Sequence, residues 1–164
     1  MIVVIDTNVW ISALQFAKHR GTPTRALEKA ISEDVIATCD EIDAEIVRVL
    51  TEKFSWEQPR TTSALQVILA RGIRVKIRGT VKQCRDPGDD MFLECAALAQ
   101  ADLLIAGDKD LLTLGAYKGT RIITPSEYLR AGPRAPGFSR RHNSATSLSA
   151  RDSEREGARE FPSQ

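Results

Sequence analysis

The stretch Asp86-Pro87-Gly88-Asp89-Asp90-Met91-Phe92-Leu93-Glu94-Cys95-Ala96-Ala97-Leu98-Ala99-Gln100-Ala101-Asp102-Leu103-Leu104-Ile105-Ala106-Gly107-Asp108-Lys109-Asp110 decides the fold. Pro-Gly cannot continue a regular element, so the stretch begins as a turn, and Asp89 stands where a helix N-cap would stand. From Asp90 onward Phe92, Leu93, Ala96, Ala97 and Ala99 recur at helical spacing. Leu103 to Ala106 is a short apolar run of the kind buried in parallel sheets, and it ends on Gly107-Asp108. The unit reads as acidic loop, helix, buried strand, acidic loop. Ligands of open parallel sheets bind outside the carboxyl ends of the strands, so acids gathered at that edge point to a metal ion.

Working outward, residues 1–5 form a β-branched strand with Asp6-Thr7-Asn8 at its carboxyl end. Asp6 stands both where a first strand delivers a functional residue and where the next helix needs an N-cap. Residues 23–32 read as a helix, 35–38 as a second strand, and 40–53 as an amphipathic helix with Ile42, Ile46, Val49 and Leu50 on its apolar stripe. Asp40 with Asp43 resembles a capping pair. On the other side Glu41, Glu45, Arg48 and Glu52 form a row that by itself describes a solvated face. A helix over 59–71 ends at Gly72, and 74–77 has the alternation of an edge strand.

Residues 79–85 read as a loop carrying Lys82 and Arg85, and one or two helical turns from Lys109 end at Gly115. The last strand is 121–123, and Thr124-Pro125-Ser126-Glu127 opens a helix with a capping box and Pro at its first position. Strands at 2–5, 35–38, 103–106 and 121–123 separated by helices give an α/β fold, a mainly parallel sheet with helices on both faces.

One domain over 1–130 accounts for the 164 residues, and the 42% hydrophobic content suffices for a core. From 131 to 164 Gly, Pro, Ser, Arg and Glu dominate, so that tail is expected to be disordered. No apolar run approaches membrane-spanning length and the first strand is too short for a signal peptide, which reads as a cytoplasmic protein. Cys39, Cys84 and Cys95 form no CxxC pair, so a disulfide framework and a zinc site are not indicated. A formal net charge of +1 does not announce a nucleic-acid binder, and such binding would need local basic patches. Crowded carboxylates persist by pairing, protonation or binding a cation, and hard oxygen ligands select Mg²⁺ or Mn²⁺. The corresponding reaction is attack of water on a phosphodiester.

Four segments then carry a resemblance: Asp6-Thr7-Asn8, the run from Asp40 to Ile46, Arg85 to Asp90 opening an Ala-rich helix, and Ile105 to Leu112. Together they resemble the four acidic motifs of PIN-domain nucleases, with the nearest likeness to VapC-like ribonucleases, the toxins of type II toxin–antitoxin systems. The likeness covers roughly residues 1–130. It implies a three-layer α/β/α PIN-like fold and a metal-dependent endoribonuclease. Asp6, Glu45, Asp90 and Asp108 would be the metal-binding catalytic acids, with Asp89 and Asp86 as near alternatives to Asp90, Asp110 as the second choice beside Asp108, and Thr7, Asn8, Asp89 and Asp110 in support; Glu94, four residues after Asp90 on the same helical face, would stand behind them. Lys18, Arg20, Arg85 and Lys109 would border the acidic edge and hold RNA phosphates. A cognate antitoxin and a homodimer are further implications. Ala106 stands where family members usually carry Thr or Ser, so one supporting hydroxyl is missing. Two other readings compete: a catalytically degenerate PIN-fold module that binds RNA or protein, and an aspartyl phosphatase, against which Asn8 stands where a second Asp is wanted.

Overall fold

A computed structural model describes residues 1–131. The extreme apolarity of the short strands decides what lies at the centre. Val3, Val4, Leu104 and Ile105 are wholly buried, and they occupy β1 (Ile2–Ile5) and β4 (Leu103–Ile105), which pair in parallel. Outside β1 lies β2 (Val35–Thr38), and beyond it β3, which is only Ile73–Arg74. On the other side of β4 lies β6 (Thr120–Ile123), followed by β5 (Ala116–Tyr117). The strand order is β3-β2-β1-β4-β6-β5, and only β5 runs antiparallel.

The seven helices among the described residues are α1 (Thr7–Gln15), α2 (Thr22–Glu33), α3 (Asp40–Phe54), α4 (Gln58–Leu69), α5 (Asp90–Ala99), α6 (Lys109–Leu114) and α7 (Pro125–Arg130). They form the expected three-layer PIN-like arrangement around the sheet. The β5–β6 hairpin was not legible, because Ala116-Tyr117 is too short to show a period and only Lys118 and Gly119, both at positive φ, turn the chain. The strand expected over 74–77 is shorter than its alternation suggests. Beyond β3 only Val75 continues the ladder, donating its N–H to Thr38 at 3.0 Å. No helix among the described residues is long and apolar enough to cross a membrane. The tail expected over 131–164 lies, apart from Ala131, outside the described residues.

Two capping expectations change. Asp40 and Asp43 do not form a cap; they grip Arg74, each at 2.7 Å, and thereby tie α3 to β3. Asp89 does not cap α5 either. Asp86 accepts the N–H of Gly88 at 2.9 Å and caps a single 3-10 turn, Pro87–Asp89, which leaves the Asp89 carboxylate unspent. The capping box at Thr124 and Glu127 forms as expected.

Gly72 does more than end a helix. A Cβ there would stand 2.5 Å from the Ile36 carbonyl oxygen and 3.1 Å from that of Leu69, both backbone atoms. Gly72→Ala is therefore expected to force β2 and α4 apart and to cost about 1–3 kcal/mol. An unchanged denaturation midpoint would show that the close approach is not real.

Candidate metal centre

The carboxyl end of β1 delivers Asp6, and the packing that follows fixes both of its oxygens. Oδ1 accepts the Asn8 N–H at 3.1 Å, capping α1, while Oδ2 accepts the Gly107 N–H at 3.0 Å from the end of the neighbouring β4. Asp6 thus caps α1 and ties β1 to the end of β4 at once, 1% exposed. Asn8 supports it through its backbone rather than its side chain. The Thr7 hydroxyl is buried and has no hydrogen-bond partner, leaving a neutral oxygen donor beside Asp6 in sequence. Ala106, fully buried, lends only its backbone, donating to Ile123 at 2.9 Å.

Asp108 caps α6, accepting the Asp110 N–H at 2.7 Å. Around it the chain gathers Asp89 and Asp110: one carboxylate oxygen from each of the three acids lies within 4.8 Å of the others. Arg85 reaches Asp110 at 3.2 Å and contributes one cation to the group. Burial, and then the charges of Asp108, Asp6, Asp86 and Asp110, push the Asp89 carboxyl up to about 6. Burial also raises Asp6, where the Gly107 and Asn8 N–H groups pull against it and the Asp108 charge adds to the rise. The centre consists of half-buried, mutually repelling, hard oxygen donors.

Asp90, taken from sequence as the third acid, is elsewhere. Its Oδ1 accepts the backbone N–H groups of Gln83 and Cys84, both at 2.8 Å. Burial opposes ionisation there, but those N–H bonds outweigh it and hold the carboxyl below its ordinary value. Asp89, one residue earlier, takes the place in the acidic group. Glu45 does not join it either: its carboxylate pairs with Arg48 at 2.8 Å, and Arg48 continues to Glu52 at 3.1 Å. That row is the solvated helix face its spacing describes.

Glu94 also turns away from the acids. It accepts the N–H groups of Arg78 at 2.8 Å and Thr80 at 3.1 Å, and the Thr80 hydroxyl at 3.2 Å. Among the expected phosphate contacts, Arg85 is the one that touches the acidic group. Arg20 pairs with Glu28 at 3.3 Å, Lys18 lies in a separate 3-10 turn after α1, and Lys109 is an exposed residue between Asp108 and Asp110. Gly107, whose N–H holds Asp6, went unnoticed in the sequence. Its only signal is a glycine at the end of a buried strand, where backbone approaches backbone.

The sequence model of the PIN domain family matches residues 2–110. The chain belongs to the PIN domain family. PIN domains are generally nucleases. A relative in Methanocaldococcus jannaschii, the uncharacterized protein MJ1680, is 29% identical over 117 residues, covering 68% of this chain and 74% of its own. Among solved structures, the crystal structure of VapBC2 from Rickettsia felis bound to a DNA fragment from their promoter is similar in fold. Its TM-score is 0.50 with 17% identity, over 74% of this chain and 97% of that one.

The donor set fits the divalent ion that this family implies. Carboxylate oxygens from Asp89, Asp108 and Asp110 converge, with Arg85 on Asp110 the one ion pair to them among the described residues, and such hard ligands suit Mg²⁺ or Mn²⁺. The raised Asp89 carboxyl has a consequence for stability. An unfolded Asp titrates at about 3.9, so between that pH and about 6 the folded chain holds the extra proton, and this contribution to stability falls as pH rises through the window. The melting temperature of metal-free Asp89→Asn is expected to gain on that of the parent between pH 4 and pH 7. A constant difference across that range would contradict the assignment.

Proposed function

We propose that this PIN-domain protein is a divalent-metal-dependent endoribonuclease and the toxin of a type II toxin–antitoxin pair. The observation that carries the proposal is the convergence of Asp89, at the start of α5, with Asp108 and Asp110 after β4, with buried Asp6, after the adjacent parallel β1, charge-coupled to Asp89 and Asp108. In this reading Asp89, Asp108 and Asp110 hold Mg²⁺ or Mn²⁺ and Asp6 completes the negative field. The bound ion supplies an acidified water nucleophile and stabilises charge on the leaving oxygen. The Gly107 and Asn8 N–H groups keep the Asp6 carboxylate in place, and Arg85 is positioned to meet a phosphate. Glu45 could enter the site only by giving up Arg48, so the proposal leaves it outside.

An open edge rather than an enclosed cavity suits a polymer. A cavity of about 600 Å³ lies between α3 and α4, lined by Val47, Leu65 and the Arg74 ion pairs, and contains none of the clustered acids. The family likeness supports an antitoxin partner, a homodimer and an RNA substrate for this chain as well.

The test is cleavage of end-labelled RNA with Mn²⁺, with EDTA, and by Asp108→Asn. Cutting by the wild type with metal, and by neither control, is expected. A wild type that neither cuts RNA nor gains thermal stability from Mn²⁺ would overturn the nuclease reading and favour a PIN-fold binding module, since a bound ion must stabilise the folded state by mass action.

A further inference from the structure

The chain between β3 and the acidic centre is not an ordinary surface loop. Residues 75–85 contain Lys76, Arg78, Lys82 and Arg85 and no acid. Val75, Ile77, Val81 and Cys84 are partly buried and packed on the core, while the four cations are exposed. The charge therefore lies on one side of the segment. Among the described residues Lys76, Arg78 and Lys82 form no ion pair, and Arg85 ends the series on Asp110.

The register of this segment is set by α5. Glu94 holds the N–H groups of Arg78 and Thr80, and Asp90, one turn earlier, holds those of Gln83 and Cys84. Carboxylates at i and i+4 stand about 6 Å apart along a helix axis. They pin the segment at two successive points as it descends along α5 towards Asp89. A pair of like charges on one helical face is unfavourable in isolation, and here each is compensated by backbone donors from the segment.

We propose that Lys76, Arg78 and Lys82 form a phosphate-binding rail that guides the backbone of single-stranded RNA to the acidic centre, with Asp90 and Glu94 as its positioning residues. The proposal rests on the RNA reading above. A row of unpaired cations that runs into a cluster of acids matches a polyanion whose reacting phosphate must reach a metal site. Contacts of this kind position the strand and carry no base specificity.

The experiment uses the full chain carrying Asp108→Asn, so that RNA stays intact, with and without the triple change Lys76→Gln, Arg78→Gln and Lys82→Gln. Binding of a short and a long fluorescent single-stranded RNA is followed across a salt series. The rail requires the triple variant to lose at least about tenfold in affinity for the long RNA and to lower the magnitude of the salt slope by about 2, since each phosphate contact contributes about 0.7. It also requires the preference for long over short RNA to disappear while the melting temperature is kept. Equal affinity and equal slope in the two proteins would overturn the rail and leave the nuclease intact. A parent that binds no RNA, together with a wild type that does not cut it, would overturn both.

Discussion

Asp89→Asn is expected to lower metal-dependent RNA cleavage at least about 100-fold in kcat/KM and to abolish stabilisation by Mn²⁺, with the metal-free protein no less stable than the wild type. Outer partners of metal ligands already cost 10- to 100-fold when removed, so a direct ligand should exceed that. The metal-free protein does not suffer because Asp89 is surrounded by the charges of Asp108, Asp6, Asp86 and Asp110, and removing one repelling charge relieves the group. The contrasting variant is Asp90→Asn. There the carboxylate holds two backbone N–H groups and belongs to no acidic cluster, so its loss should cost about 1–2 kcal/mol of stability and leave the Mn²⁺-dependent thermal shift in place. If Asp90→Asn, rather than Asp89→Asn, removes the shift, the acids are exchanged and the sequence-based choice was the right one.

Glu94→Ala is expected to destabilise the protein by about 3 kcal/mol and to impair cleavage more than its distance from the acids suggests. The carboxylate is buried, and its removal leaves two backbone N–H groups and the Thr80 hydroxyl without their acceptor. Each such group costs about 1–3 kcal/mol when nothing replaces its partner, and partial hydration holds the total below the sum. Burial works against ionisation of Glu94, but the N–H bonds from Arg78 and Thr80 prevail and keep its carboxyl below the ordinary glutamate range. A lowered folded value means that this contribution is present above the unfolded value and is lost as pH falls through the folded one. Chemical denaturation near neutral pH is therefore the proper measurement. A change of less than half a kcal/mol in Glu94→Ala would show that the segment stands without its anchor.

The two variants mark the boundary between what was readable in the residues and what was not. The run Leu103-Leu104-Ile105-Ala106 reads as a buried strand, because an apolar stretch that short has no polar face to leave in water, and β4 covers its first three residues. Where a strand leaves its acid follows from chain direction alone, so Asp108 after β4, like Asp6 after β1, could be placed at the sheet edge without coordinates. Which of Asp89 and Asp90 faces the site was not. Successive residues on a helical turn point about 100° apart, so the choice depends on the 3-10 turn that Asp86 caps, and sequence spacing does not carry that rotation. The pairing of Glu45 with Arg48 is not what the four-motif reading describes, for a related reason. Helical spacing brings Glu45, Arg48 and Glu52 to one face, and a cation within reach competes for the carboxylate.

The sequence by itself determined the alternation of apolar strands with helices, hence a parallel sheet with acids at its carboxyl edge and membership of the PIN family. These features are local, written in hydrophobic period and chain direction. Only the tertiary structure decided which acids meet, that Gly107 braces Asp6 from the neighbouring strand, and that Asp90 and Glu94 accept backbone N–H groups of the 78–84 segment. Those outcomes depend on contacts between residues far apart in the chain, where a displacement of a few ångströms exchanges one partner for another while the pattern of residue types stays the same.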